Sequence, residues 1–489
     1  MASIGYAHLI ERLGLAVKPL LRPASVSRSV NRKIVEENKL VFPSGVAIDD
    51  TLIGHIEFAL RHEGVNLEVI DAAFEHISPE SLIKRFEANP NAEHIRRACF
   101  LWEWLTNKNL STMAQPTGRY VDMFPDTEYL TAAVPQRMPK FRVRDNALGT
   151  PDFCPTVLRA SLPQNPGLPE LLAEVEHILD AVADPEMYAR AVQYLYLSET
   201  RGNYAIERET PTAGKQERFI QLLRKAGELA TVNENWLVGL QNAVVRDKYS
   251  QEASYRTQQN WLEDGAGRIT FFPPNPEELR SAMAGWEAFV NDTTRCQNVL
   301  AKAACTAFGF VYLHPFMDGN GRLHRFLIHH ALARSGLLAK EAILPVSAVI
   351  LKHVPEYHDV LTAFSRPVTA LWDYRRGDNG PMVVRSPNSR VYRFFNADRE
   401  VLFLYNMIRL AVKEELPREI AWLQGYDQAL LSLDHEFDLP QSDLSALIRM
   451  AYSNQGVLSL NRRKQYMHLP ESVLNRVEVI VQQVFGITP

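Results

Sequence analysis

The sequence predicts a mainly α-helical protein whose helical core is interrupted by one β-hairpin. Three observations carry that expectation. Residues 299–313 (Val-Leu-Ala-Lys-Ala-Ala-Cys-Thr-Ala-Phe-Gly-Phe-Val-Tyr-Leu) are almost wholly apolar, which suits a buried helix and is too long for an ordinary strand. Amphipathic pieces recur well upstream, at Pro79-Glu-Ser-Leu-Ile-Lys-Arg85 and His94-Ile-Arg-Arg-Ala-Cys-Phe-Leu-Trp-Glu-Trp-Leu105. Between these, residues 254–276 hold two short strand-like runs around Asp264-Gly-Ala-Gly267, the pattern of a hairpin with a glycine-containing loop.

In chain order, residues 1–110 read as a mainly helical N-terminal region. From 111 to 168 prolines and glycines thicken (Pro116, Gly118, Pro125, Pro135, Pro139, Gly149, Pro151, Pro155), which marks an irregular connector. Helices resume at 169 and run, with the hairpin interruption, to about 370. Residues 380–395 alternate apolar and basic and predict a short strand pair, opening a C-terminal region at 380–489 that is otherwise helical, with Asn454-Gln-Gly456 as a turn.

Composition bounds the function classes. With 489 residues, 46% of them hydrophobic, the chain can bury ample core in two or three domains. A net charge of −4 exerts no global pull towards nucleic acid or anionic membrane. The four cysteines, Cys99, Cys154, Cys296 and Cys305, form no C-x-x-C pair, so reduced core thiols are expected and neither a zinc site nor a disulfide framework. Met1-Ala-Ser-Ile-Gly5 lacks the basic n-region of a signal peptide, and no apolar run reaches ~18 residues. A cytoplasmic protein with no membrane association is the expectation. Self-association is left open.

The chemistry concentrates in His314-Pro-Phe-Met-Asp-Gly-Asn-Gly-Arg-Leu-His-Arg325. Pro315 disfavours helical geometry at His314, so the apolar helix should end there. Asp318-Gly-Asn-Gly321 then reads as a turn whose glycines let backbone N–H groups approach an anion. Helical periodicity returns from Arg322 and stops at Gly336, so the turn feeds a helix N-terminus, where phosphate is favoured. Arg322 and Arg325 share one face of the first turn. Cations there oppose the helix dipole unless an anion sits among them. His324, His329 and His330 lie nearby without metal-ligand spacing and are read as helix-face residues.

This string resembles the Fic-family signature, His-x-Phe-x-(Asp/Glu)-Gly-Asn-Gly-Arg-x-x-Arg, at every defined position. The resemblance implies a Fic helical core and transfer of AMP from ATP to a Tyr, Thr or Ser hydroxyl of a protein target or of the chain itself. It implies His314 as general base, a role suited to an imidazole at cellular pH. By the same resemblance Asp318 would hold Mg²⁺, Gly319, Asn320 and Gly321 would cradle the α-phosphate, and Arg322 and Arg325 would bind the β- and γ-phosphates. Phe316 is read as a core anchor. Gly321 stands where a kinase-like relative would carry lysine.

The family also places a flap hairpin ahead of the motif, pairing with an extended target segment by strand addition; residues 254–276 fit that position. Many members carry an inhibitory helix, (Ser/Thr)-x-x-x-Glu-(Gly/Asn). Its nearest likeness here lies at 198–210, with Glu207 as inhibitor, Asn203 at the Ser/Thr position and Arg208 at the small position. Two of those three sites depart from the pattern. Two other readings stay open. One is hydrolytic removal of AMP from modified targets at the same site. The other is a nucleic-acid-binding regulator with a quiescent core, for which Arg22–Lys33 and Asn461-Arg-Arg-Lys464 offer basic stretches without an interleaved aromatic platform.

Overall fold

A computed structural model describes residues 2–180, 182, 185–228, 230–245, 248–338, 342–375, 383–386 and 388–487. It is mainly helical, as its sequence predicts. The main hydrophobic core runs from Leu148 to Ile420 and centres on the helix Val299–Leu313, where nearly every side chain is buried. The helix Asn320–Arg334 packs back against it as an antiparallel hairpin, and Pro276–Asn291 and Asp398–Leu410 flank it. Trp286 donates its indole N–H to Thr306 O at 2.9 Å, satisfying the one polar atom this large core side chain carries. The helix Pro185–Ile206 lies across Asn320–Arg334 and Val346–Lys352, which puts its last turn beside the motif.

The hairpin forms as Leu262–Glu263 paired antiparallel with Ile269–Phe271. Asp264 closes its loop, accepting from the backbone of Ala266 and Arg268 and from the Arg268 side chain.

Three flanking segments differ from the sequence expectation. Residues 2–43 hold a four-stranded sheet, Ala2–Ser3, Ala24–Ser27, Leu40–Pro43 and Ile34–Val35 in spatial order, before the helices between Leu52 and Thr106 begin. Pro19 and Pro23 stop helix continuation there, and the apolar Leu40-Val-Phe42 run is short enough to be a buried strand. Within 111–168, Val121–Asp122, Val143–Asp145 and Gln136–Met138 pair as a small sheet over buried Phe124 and Phe141. Of the strand pair expected at 380–395 only Val383–Arg385 falls in that range, and its partner is Asp373–Arg375 upstream, while 376–382 and 387 lie outside the described residues. Arg390–Arg393 is one helical turn instead: Arg390 reaches Asp71 at 2.9 Å and also Glu75, and alternation along four residues cannot outweigh that cross-region pairing.

The C-terminal helices between Leu416 and Phe485 surround a core of their own, built on Leu433, Leu447 and Val477. The basic stretch at 461–464 sits on the short helix Leu460–Gln465, where Arg463 is tied to Glu471 and to Glu478 at 2.7 Å. No helix among the described residues is long and apolar enough to cross a membrane.

Candidate active site at the motif loop

The apolar helix stops at His314, as Pro315 requires. His314 is its C-cap in the left-handed region (φ 50°), with its N–H bonded to Phe310 O at 2.9 Å. That conformation is unfavourable for a residue with a side chain and persists only where surroundings over-determine it. The ring's Nδ1 lies 3.3 Å from Val311 O, which puts the ring proton on Nδ1 and leaves the Nε2 lone pair free. Burial, reinforced by the positive charge of Arg256, pushes the imidazole pKa down to about 4. The ring is therefore neutral at cellular pH and can accept a proton.

Asn320 holds the loop in shape. Its side chain accepts from Phe316 N–H at 3.1 Å and donates to Phe316 O at 2.7 Å, replacing a sheet-like backbone pair. Gly319 adopts φ 89° as the N-cap of Asn320–Arg334, a conformation that favours glycine. The helix's first internal bond is Leu323 N–H to Gly319 O, so the N–H groups of residues 320–322 have no intrahelical acceptor. That is the anion-binding geometry of a helix start. Asp318 is partly exposed, with Oδ1 2.8 Å from Arg322 Nη2.

Both motif arginines are buried and already hold carboxylates. Arg325 Nη2 lies 2.7 Å from Glu207 Oε1, and Arg322 Nη1 lies 2.7 Å from Glu209 Oε2. Burial opposes ionisation of Glu207, yet the charge and hydrogen bond of Arg325, with Arg322 adding to them, hold its carboxyl below the usual range. Gly321 makes the approach possible, because a Cβ there would lie 2.3 Å from Glu207 Oε1. Asn203 serves both arginines: Oδ1 accepts from Arg325 Nε at 2.7 Å, and Nδ2 donates to Arg322 O at 3.3 Å.

The departure at Arg208 now has a physical reading. Arg208 N–H bonds Ala205 O, Glu209 N–H bonds Tyr204 O, and Arg208 itself takes φ 58°. This is a Schellman helix end, whose left-handed position favours glycine or asparagine. A small residue in the inhibitory pattern answers that backbone need. Arginine meets it at a cost of about 1 kcal/mol.

All eight residues that the sequence singles out, from Glu207 to Arg325, converge on this loop. Three others belong with them and carried no sequence signal strong enough to be picked: Glu209 on Arg322, Glu199 beneath His329, and Arg256 beneath His314. Their partners are more than fifty residues away in sequence, so no local spacing reveals them. His324, His329 and His330 face inward rather than to solvent, with His330 Nδ1 2.7 Å from Ala226 O. A remote His8–Asp50–His55 group has metal-like proximity. His55 Nδ1 accepts from Gly5 N–H, however, so its Nε2 carries the proton that faces Asp50, and His55 fastens these two while His8 stacks on its ring.

Residues 231–332 match the Fic/DOC family. The chain carries a Fic domain. Similar relatives include protein adenylyltransferase Fic of Culex quinquefasciatus, 31% identical over 90 residues, covering 18% of this chain and 17% of the relative. The Nematostella vectensis protein of the same name is 29% identical over 169 residues, covering 30% and 40%. Protein adenylyltransferase fic-1 of Caenorhabditis briggsae is 36% identical over 77 residues, covering 16% and 15%. The chain thus spans less than half the length of these curated relatives. A solved Fic family protein from Desulfovibrio desulfuricans is 18% identical with a TM-score of 0.38, covering 65% of this chain and 84% of that one.

Proposed function

We propose that the protein is a nucleotidyltransferase that moves AMP from ATP to a Tyr, Thr or Ser hydroxyl of a protein target, or of itself, and is restrained by Glu207, just past the end of Pro185–Ile206. The observation that carries this reading is a neutral, buried imidazole with a free Nε2 at the mouth of a helix N-terminus flanked by two arginines. His314 takes the acceptor's proton, so the oxygen attacks the α-phosphorus as the bond to the β-phosphate oxygen breaks and pyrophosphate leaves. Gly319, Asn320 and Gly321 cradle the α-phosphate at the helix start, and Arg322 and Arg325 hold the β- and γ-phosphates through their planar forks.

Asp318 suits Mg²⁺: it is a hard-oxygen ligand, partly exposed, beside the place where phosphates would complete the coordination. A bound Mg²⁺ would neutralise phosphate charge there. ATP cannot meet either arginine fully while Glu207 and Glu209 occupy them. The target segment would dock on the hairpin by strand addition. We expect a cytoplasmic location and no nucleic-acid partner. The reverse reaction has support in Glu207, a partly exposed carboxylate facing the cradle that could orient a water.

The test is incubation of wild type, Glu207→Gly and His314→Ala with Mg²⁺ and α-labelled ATP, followed by intact mass. Glu207→Gly should gain AMP roughly tenfold faster than wild type, since the lost contact is charge-assisted. His314→Ala should bind ATP and transfer nothing. Because protonation silences the base and its pKa is near 4, transfer by Glu207→Gly should persist to about pH 5 and fail as pH drops towards 4. Robust transfer by His314→Ala would remove the base assignment.

A further inference from the structure

We propose that Arg256 is a positioning residue for His314: it ties the base and both limbs of the hairpin into one rigid unit, so that an acceptor held by the hairpin meets the imidazole in register. This inference rests on the transfer reading given above.

Arg256 is 4% exposed, and every hydrogen-bond partner of its guanidinium is a main-chain carbonyl. Nε donates to His314 O at 2.9 Å, Nη1 to Gln258 O at 3.1 Å and Nη2 to Pro274 O. The residue's own N–H donates to Pro315 O at 2.8 Å. Gln258 precedes the strand Leu262–Glu263 and Pro274 follows Ile269–Phe271, so one planar group gathers both limbs of the hairpin and the residue that bears the base. A second tie runs parallel to it, from Asn260 Nδ2 to Phe316 O at 3.3 Å.

Burying a cation without a carboxylate is expensive, and burial draws the Arg256 pKa down to about 10. A core needing only volume would place an apolar side chain there. What a guanidinium adds is a rigid fork that fixes three acceptors at once. His314 O is a helix-end carbonyl with no intrahelical partner, at the negative end of the Val299–Leu313 dipole, where a cationic donor is favoured. His314 is also held in a left-handed conformation that it would leave if unclamped. A general base acts only within hydrogen-bond reach of its proton, and a 1 Å misplacement reduces rate on the order of 10²-fold. Arg256 touches neither the nucleotide cradle nor the reacting atoms. Its effect should fall on turnover rather than on ATP binding.

The experiment introduces Arg256→Gln and Arg256→Lys into Glu207→Gly and measures kcat, KM for ATP and the unfolding midpoint. A second reading follows His314 by NMR of ¹³C-labelled histidine, assigned with His314→Ala. Arg256→Gln should lower kcat by roughly 30- to 100-fold, leave KM for ATP within about twofold, and move or broaden the His314 resonance. Arg256→Lys keeps the charge but not the fork and should recover only part of the rate. Unchanged kcat, or a raised KM at constant kcat, overturns the proposal. So does a lowered midpoint whose folded fraction turns over at the parent rate. If the Glu207→Gly parent itself transfers no AMP, the transfer reading fails. The NMR arm then decides separately: an undisturbed His314 signal in both variants refutes positioning, and a displaced one supports it.

Discussion

Two ends of one helix pairing behave differently. Along Pro185–Ile206 and one residue past its end, the residues at 199, 203 and 207 recur every fourth position and meet 329, 325 and 321 on the motif helix, so the contact carries a carboxylate at each end. At the inner end Glu199 is fully buried. It accepts from Ser347 N–H at 2.7 Å and from the Ser347 hydroxyl, and lies 2.8 Å from His329 Nε2. At the outer end Glu207 and Glu209 hold arginines equally closely, but from side chains 37% and 28% exposed, on a turn strained at Arg208. The inner carboxylate is an anchor because its partners have no other source of satisfaction. The outer pair is more easily exchanged because water can compete for it, and under the proposed function it is a latch that phosphate displaces. Polar contacts of similar length thus differ in what replaces them when broken.

The largest effect expected from this contrast is at the anchor. Glu199→Ala would leave Ser347 N–H and its hydroxyl buried without their acceptor, a loss of about 3 kcal/mol. A clear fall in the unfolding midpoint is the expected outcome. A midpoint equal to wild type would erase the distinction between the two ends. Next in size is Glu209→Gln at the latch. A partly exposed ion pair contributes up to about 1 kcal/mol, so ATP affinity measured by calorimetry should rise roughly fivefold with the midpoint hardly moved. If affinity stays constant in both the wild-type and Glu207→Gly backgrounds, Arg322 is not restrained by Glu209.

What the sequence made legible follows the same divide between local and distant causes. The end of the apolar helix at His314 and the turn that follows it depend on residues adjacent in the chain and lie where the local pattern puts them. The next helix, however, starts at Asn320, two residues before Arg322, and takes the second half of the expected 318–321 turn into its first turn. The hairpin was equally readable, since a glycine loop between two short runs is a local signal. The sheet at 2–43 was not, because its strands are two to four residues long and draw their stability from pairing between residues as far apart as Ala2 and Val26. Arg256 and Glu209 were invisible for a related reason. Nothing within a few positions of either says that it ends beside His314 or Arg322.

The smallest and sharpest test concerns Arg208. Its left-handed conformation disfavours an L side chain by about 1–2 kcal/mol, and glycine would remove that penalty. Glycine also gives the unfolded chain more freedom, which offsets about 0.4–1 kcal/mol of the gain. The first term is the larger, so Arg208→Gly should stabilise the turn by roughly 0.5–1 kcal/mol and close the latch more often. Basal AMP transfer, or ATP affinity if transfer is too slow to follow, should fall about two- to fivefold. The direction matters more than the size, because most substitutions that disturb an inhibitory element raise activity, and this one repairs its backbone. Were Arg208→Gly to raise activity instead, the Arg208 side chain and not the turn geometry would be holding Glu207 and Glu209 in place.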